Sequence, residues 1–182
     1  MSMPSLPVTV VAPVFSREKV ATTQQSEPVP SLPVHARDPW TINLLVRVDR
    51  QPANRTLIVG FGSLSADSPG RGRYLAKFAN GIHFWSHNRD VESTTPLELG
   101  RWQMVSATYD GRVLSLYQNG RSIGRQELEL SDDQAVMHVA PLDPWDKKRS
   151  FEGQIKDLTF WDTALTPEAL TMLWQATAGD AK

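Results

Sequence analysis

The segment "GIHFWSH" (81–87) sets His83, Trp85 and His87 two residues apart. In an extended strand that spacing puts the three side chains on one face, with Ile82, Phe84 and Ser86 on the other. If Asn80-Gly81 forms a two-residue hairpin turn, Phe78 stands opposite His83, Ala76 opposite Trp85 and Tyr74 opposite His87. One face then gathers Phe78, Tyr74, Trp85 and both histidines. Aromatic rings flanked by hydrogen-bonding nitrogens suit a sugar, whose C–H face stacks while its hydroxyls bond. The same set also serves as half of a sandwich core with the histidines near its rim, and on residue types alone that reading is preferred. Two histidines four apart would suggest zinc on a helix, but this run is a predicted strand and no third ligand stands out.

A second cluster lies in "PLDPWDKKRS" (141–150), where Asp143, Trp145, Asp146, Lys147, Lys148 and Arg149 crowd together. A tryptophan between two aspartates can stack on a sugar or help build a calcium site, and loops on a rigid scaffold are where binding residues concentrate. The plain alternative is a solvated loop whose ring covers a core edge. A third set is "ELELS", in which Glu127, Glu129 and Ser131 share a strand face. Glycoside hydrolysis needs two carboxylates flanking the bond. Charge placed on an exposed strand edge to discourage aggregation explains the same residues.

Other chemistries are absent from the sequence. It has no cysteine, so disulfides, thiolate metal sites and a cysteine nucleophile are excluded. No Gly-x-Ser-x-Gly elbow supports a serine nucleophile. The glycines of "GFGSLSADSPGRGR" (60–73) lack the Lys-Ser/Thr ending of a phosphate loop. Nineteen basic and 20 acidic residues leave a net charge of -1, against nucleic acid as a partner. No apolar run approaches the ~20 residues of a membrane helix, so membrane insertion is not expected. The first twenty residues lack a basic start and carry Pro7 and Pro13, so they do not read as a signal peptide.

The elements that must position these residues are short. From Trp40 onward the chain alternates β-branched and aromatic runs with turn residues. The runs are 40–48, 55–62, 73–79, 81–86, 101–109, 112–119, 121–130, 135–141 and 151–161. Asn80-Gly81, Asp110-Gly111 and Asn119-Gly120 suit tight turns that need positive φ. Many short strands with frequent turns predict an all-β sandwich or barrel. Thr166 as N-cap, Pro167 at the first helical position and Glu168 in the first turn predict one short helix near the end, with Leu170, Leu173 and Trp174 as its apolar stripe. Residues 1–37 hold Pro4, Pro7, Pro13, Pro28, Pro30 and Pro33. They read as an extended segment contributing an outer strand at Val8–Phe15, followed by a connection or weak edge. A single domain over 38–177 and a tail at 178–182 complete the expected organisation.

"LELGRWQMVSATYDGRVLSLYQNGRSIG" (97–124) and "FEGQIKDLTFWDTALTPEALTMLW" (151–174) resemble the bacterial laminin G-like (LamG) domains of the concanavalin A-like lectin/glucanase superfamily. The shared pattern is a Trp opening a strand, a Tyr-Asp-Gly turn, a strand, an Asn-Gly turn, a later Phe-x-Gly-x-Ile, then Trp-Asp and a Leu-Thr-Pro-Glu helix. "DPWTINLLVRV" (38–48) resembles the family's early strand. The resemblance implies a two-sheet antiparallel jelly roll, with first and last strands close together and a concave face rimmed by loops. It places Trp102, Trp161 and Trp174 in structural positions, and because each large ring buries considerable area, core placement is expected for them. It also implies one structural calcium ion held between the N-terminal segment and the last strand, for which Asp157 is the best single candidate ligand, although Lys156 stands where many relatives carry an acid. Relatives of the glucanase type carry a third carboxylate that "ELELS" lacks.

The expected function is a non-catalytic carbohydrate-binding or adhesion module, an accessory domain of a larger secreted or periplasmic bacterial protein. Its partners are a glycan and a neighbouring catalytic domain. His83, Trp85, His87, Asp143 and Trp145 are the expected ligand-binding residues. A glycoside hydrolase or polysaccharide lyase acting through the concave face is the alternative. A structural interaction domain without a glycan ligand is the third.

Overall fold

The computed structural model describes residues 12–20, 31–51, 54–65, 69–79, 81–132, 135–146 and 149–178. The strands are β1 (Phe15–Val20), β2 (Trp40–Val48), β3 (Thr56–Gly62), β4 (Gly72–Phe78), β5 (Gly81–Trp85), β6 (Val91–Pro96), β7 (Trp102–Tyr109), β8 (Val113–Gln118), β9 (Arg121–Glu127), β10 (Met137–Val139) and β11 (Gly153–Trp161). They form two antiparallel sheets, one of order β1-β11-β2-β7-β8-β9 and one of order β10-β3-β4-β5-β6. One helix among the described residues, α1 (Pro167–Thr177), follows. The architecture is an all-β jelly-roll sandwich with a short C-terminal helix, and its N- and C-terminal strands lie side by side as the β1–β11 pair.

Side-chain alternation builds the core. In β2, Trp40, Ile42, Leu44, Val46 and Val48 point between the sheets, and Val105, Ala107 and Tyr109 of β7 meet them. Trp40 is the hub: its ring lies 5.3 Å from Phe61, 6.1 Å from Phe84 and 6.0 Å from Tyr109, in edge and offset arrangements that suit aromatic quadrupoles. Leu32 and Val34 join this cluster, so the core reaches upstream of residue 38. The described outer strand is β1 at Phe15–Val20, an edge of the larger sheet that begins at the last residue of the strand expected at 8–15 and runs into the segment expected to be a connection or weak edge; residues 8–11 lie outside the described residues.

Two tryptophans depart from their expected burial. Trp102 opens β7 opposite Arg47 and so faces outward with it, the core-facing residues of β7 being the odd-numbered ones. Its ring is half-buried, 5.8 Å from the Arg47 guanidinium and 4.6 Å from the Lys156 ammonium. Trp174 of α1 is likewise half-buried. Trp161 is buried on the outer face of the larger sheet with Tyr117, Leu165, Ala169 and Leu170, so α1 packs where the sequence stripe predicted. Thr166 caps that helix by accepting from the Ala169 N–H at 3.2 Å.

The turns match their residues. Asn119 and Gly120 have φ of 50° and 74°, the two left-handed residues of a tight hairpin between Gln118 and its partner Arg121. The Asp110 carboxylate accepts from the N–H groups of Arg112 and Val113 at 2.9 and 2.7 Å, closing the preceding hairpin. The polar strand β6 carried no sequence signal. "VESTTP" is an edge strand, and an edge needs only Val91 in the core.

Candidate functional site

Strands β4 and β5 form a hairpin in which Tyr74 pairs with Trp85, Ala76 with His83 and Phe78 with Gly81. The register is two residues away from the sequence expectation. Gly81 is already a strand residue paired with Phe78, so the reversal lies before it and not at Asn80-Gly81; Asn80 lies outside the described residues. Gly81 instead makes room for a neighbouring strand. A Cβ there would lie 2.4 Å from the Ser93 carbonyl oxygen, so its bareness lets β6 approach. A two-residue shift preserves parity, so the expected face survives with new partners.

That face is not the inter-sheet core. Leu75, Ile82 and Phe84 take the core side, while Leu57, Tyr74, Ala76 and Trp85 form a separate cluster on the outer side of the smaller sheet. Trp85 is nonetheless only 2% exposed, because other side chains lie over it. His87 is one. It leaves the strand at a bend with φ of 50°, followed by Asn88 at 73°, and its ring returns to within 4.0 Å of Trp85. Histidine and asparagine are among the non-glycine residues that adopt this left-handed backbone most readily.

Arg55 and Trp145 complete the cover. The Arg55 guanidinium lies 4.3 Å from the Trp85 ring and 4.9 Å from the Trp145 ring. Trp145 meets Trp85 edge-on at 5.1 Å and His87 at 5.7 Å. Asp143 fixes this arrangement from beneath. Its side chain has no exposed surface; one carboxylate oxygen accepts from Arg55 at 3.0 Å, and the other accepts from the N–H groups of Trp145 and Asp146 at 3.0 and 3.2 Å. The loop is thus an Asx turn with its carboxylate clamped by a cation, and it holds Trp145 with 49% of its surface exposed.

His83 shares the face but stands apart from Trp145. Its ring meets Phe78 edge-on at 5.5 Å, with Nε2 3.7 Å from the Asp90 carboxylate and Nδ1 3.6 Å from that of Glu92. Burial would raise the Asp90 carboxyl. Its contact with His83, the Ser86 N–H and the charges of His83 and Arg55 outweigh that and hold it below the usual carboxylate value. On the other flank His138, 6.5 Å from Tyr74, has its pKa lowered by burial.

Four of the five expected binding residues therefore converge: Trp85, His87, Trp145 and, through Arg55, Asp143. Trp85 is the buried base of the cluster, and the ring presented to solvent is that of Trp145. Arg55 was missed. Its place at the head of β3 gives no sign of function, since only strand pairing brings it over Trp85.

The other candidates fare differently. Glu127 ends the edge strand β9 and pairs with Arg112 at 3.0 Å; Glu129 just beyond pairs with Arg37. These four residues, with Arg89, line a depression of about 480 Å³ whose lining includes none of Trp85, Trp145, Arg55 or Asp143. Each carboxylate is neutralised by an exposed arginine, as expected of a charged edge. Asp157 sits in a β-bulge of β11, with φ of 51°, where the register against β2 slips. Among the described residues, no group of three or more His, Asp or Glu side chains is placed to hold a metal. A calcium ion wants six to eight oxygens. Among the described residues Asp157 is not joined by two further His, Asp or Glu side chains.

A laminin G family model, described as concanavalin A-like lectin/glucanases superfamily, matches residues 21–171. No curated protein sequence matches the chain. Among solved structures it resembles a Trypanosoma rangeli sialidase, with a TM-score of 0.70 and 13% identity over 98% of this chain and 36% of that one. It also resembles domain 4 of AbnA, a GH43 extracellular arabinanase from Geobacillus stearothermophilus in complex with arabinotriose, with a TM-score of 0.62 and 18% identity over 81% of this chain and 71% of that one. A third is a putative carbohydrate binding protein from Bacteroides ovatus, with a TM-score of 0.65 and 15% identity over 88% of this chain and 47% of that one. The chain thus spans about a third of the sialidase it matches.

Proposed function

The chain belongs to the concanavalin A-like lectin/glucanase superfamily, and from that premise we propose that it is a non-catalytic carbohydrate-binding module that works as an accessory domain of a larger exported protein. The observation that carries this reading is Trp145: a half-exposed indole braced edge-on against Trp85 and clamped by the Arg55–Asp143 pair. A sugar stacks its C–H face on the open side of that ring. His87, itself buried, braces that ring, the partly exposed Arg55 guanidinium lies beside it to meet hydroxyls, and the Asp90 and Glu92 carboxylates around His83 extend the polar border. Preorganisation explains the buried charge pair, because a ring already held in place loses little freedom when ligand arrives.

Support for a glycan comes from the family and from neighbours described as an arabinotriose complex and a putative carbohydrate binding protein. Support for accessory status comes from neighbours in which this fold makes up only part of the chain. Catalysis finds no support in Glu127 and Glu129, which are tied to arginines at the β9 edge. The test is affinity gel electrophoresis through arabinan, xylan, polygalacturonate and soluble chitin derivatives. At least one polymer retards the wild-type chain, and Trp145→Ala abolishes the retardation while its melting temperature stays within a few degrees of wild type. Retardation by none, or retardation unchanged in Trp145→Ala, rejects the reading.

A further inference from the structure

The outer face of the smaller sheet presents a second open ring. Phe78, at the end of β4, is 39% exposed and lies outside the core clusters. By alternation it shares a face with Ala76 and Tyr74, and Tyr74 pairs with Trp85, the base on which Trp145 rests. Phe78 lies four residue steps along the strand from Tyr74, about 13 Å at ~3.3 Å per residue. That span exceeds one monosaccharide and suits a short chain of them.

Between the two rings Ala76 and His83 are themselves buried, and the groups that reach the surface are polar. Ala76, the small residue of the row, pairs with His83, and His83 pairs in turn with Glu92. The Glu92 side chain is 66% exposed and that of Asp90 29% exposed, both within 3.7 Å of the imidazole. A protein partner calls for a contiguous apolar patch, whereas this strip runs ring, hydrogen-bonding groups, ring. The alternation suits a ligand whose every unit has an apolar face and hydroxyl edges. Resting on the glycan-binding reading above, we infer that Phe78 is a second stacking position of the same site, and that the ligand is an unbranched oligosaccharide laid along β4 and β5 from Trp145 to Phe78, with the Glu92 and Asp90 carboxylates accepting hydroxyl hydrogens between them.

The test measures affinity against chain length by titration calorimetry, using oligosaccharides of one to six units prepared from whichever polymer retards the wild-type chain. For wild type, affinity rises with length until the chain reaches Phe78 and then levels off. Phe78→Ala and Phe78→Leu bind the shortest ligands as wild type does but lose the gain with length, up to about tenfold for one aromatic contact. Phe78→Trp restores it. Trp145→Ala, in contrast, weakens every length. A gain with length that persists in both Phe78→Ala and Phe78→Leu overturns the inference and leaves the Trp145 reading standing. Loss of binding to the shortest ligands in Phe78→Leu, with its fold intact by circular dichroism, also overturns the two-position assignment. Retardation by no polymer overturns both readings together.

Discussion

The Asp143→Ala substitution is the sharpest probe of how the site is held. Its carboxylate is fully buried and its partner Arg55 only 16% exposed, so the pair lies largely out of water. Removing one partner of a buried pair leaves an uncompensated charge, which typically costs about 3–5 kcal/mol. The partial exposure of Arg55 argues for the lower end. The N–H groups of Trp145 and Asp146 also lose their acceptor; near the surface water can replace it, so each loss costs about 0.5–1 kcal/mol at most. A total of about 4–5 kcal/mol corresponds, at ~2–4 °C per kcal/mol for a domain of this size, to a melting temperature roughly 8–20 °C lower. Freed from the Asx turn, Trp145 becomes more solvated and its emission shifts to the red. In a double-mutant cycle with Arg55→Ala, the double variant is less destabilised than the sum of the singles by about 1–3 kcal/mol, because no charge is then left stranded. Differential scanning calorimetry and fluorescence supply both readouts. Additive singles, or an unchanged melting temperature in Asp143→Ala, refute the clamp.

Three further outcomes follow from the same structure. Burial lowers the His138 pKa, so the unfolded chain takes up a proton first as pH falls; the stability tied to His138 is present above its unfolded value of about 6.5 and declines as pH drops through that value toward the folded one. His138→Gln flattens this part of a stability–pH profile measured by urea denaturation, and an unchanged slope contradicts it. Gly120→Ala puts a Cβ at a φ of 74° and 2.9 Å from the Thr171 Cα of α1, so it costs at least about 1–2 kcal/mol in thermal denaturation, and a smaller loss means that α1 does not rest on this turn. Glu127→Gln and Glu129→Gln each change stability by less than about 1 kcal/mol, since their arginine partners are exposed. They also leave glycan retardation unchanged, and lost retardation in either would move the site to the β9 edge.

Much of the fold was legible because strands and turns are local. Runs such as "WTINLLVRV" and the Asn119-Gly120 turn carry their conformation in a few adjacent residues, and Thr166-Pro167 announces the helix in the same way. Parity, too, was readable. It carried the shared face of Tyr74, Phe78, His83 and Trp85 through a two-residue error in register. Trp102 shows the converse: it alternates against Val105 and Ala107, a signal present in the sequence that its family position obscured.

The sequence by itself thus determined the class of fold, most strand positions, the helix and its cap, and which side chains share a face. Those properties depend on residues a few positions apart. Only the tertiary structure decided that this face looks away from the inter-sheet core, that a bend carries His87 back over Trp85, and that Trp145 rather than Trp85 meets solvent. It also decided that Arg55 and Asp143, 88 residues apart, form the clamp. Such a pairing is set by how strands distant in sequence come to lie together, and burial of its charges is stabilised only once both are in place.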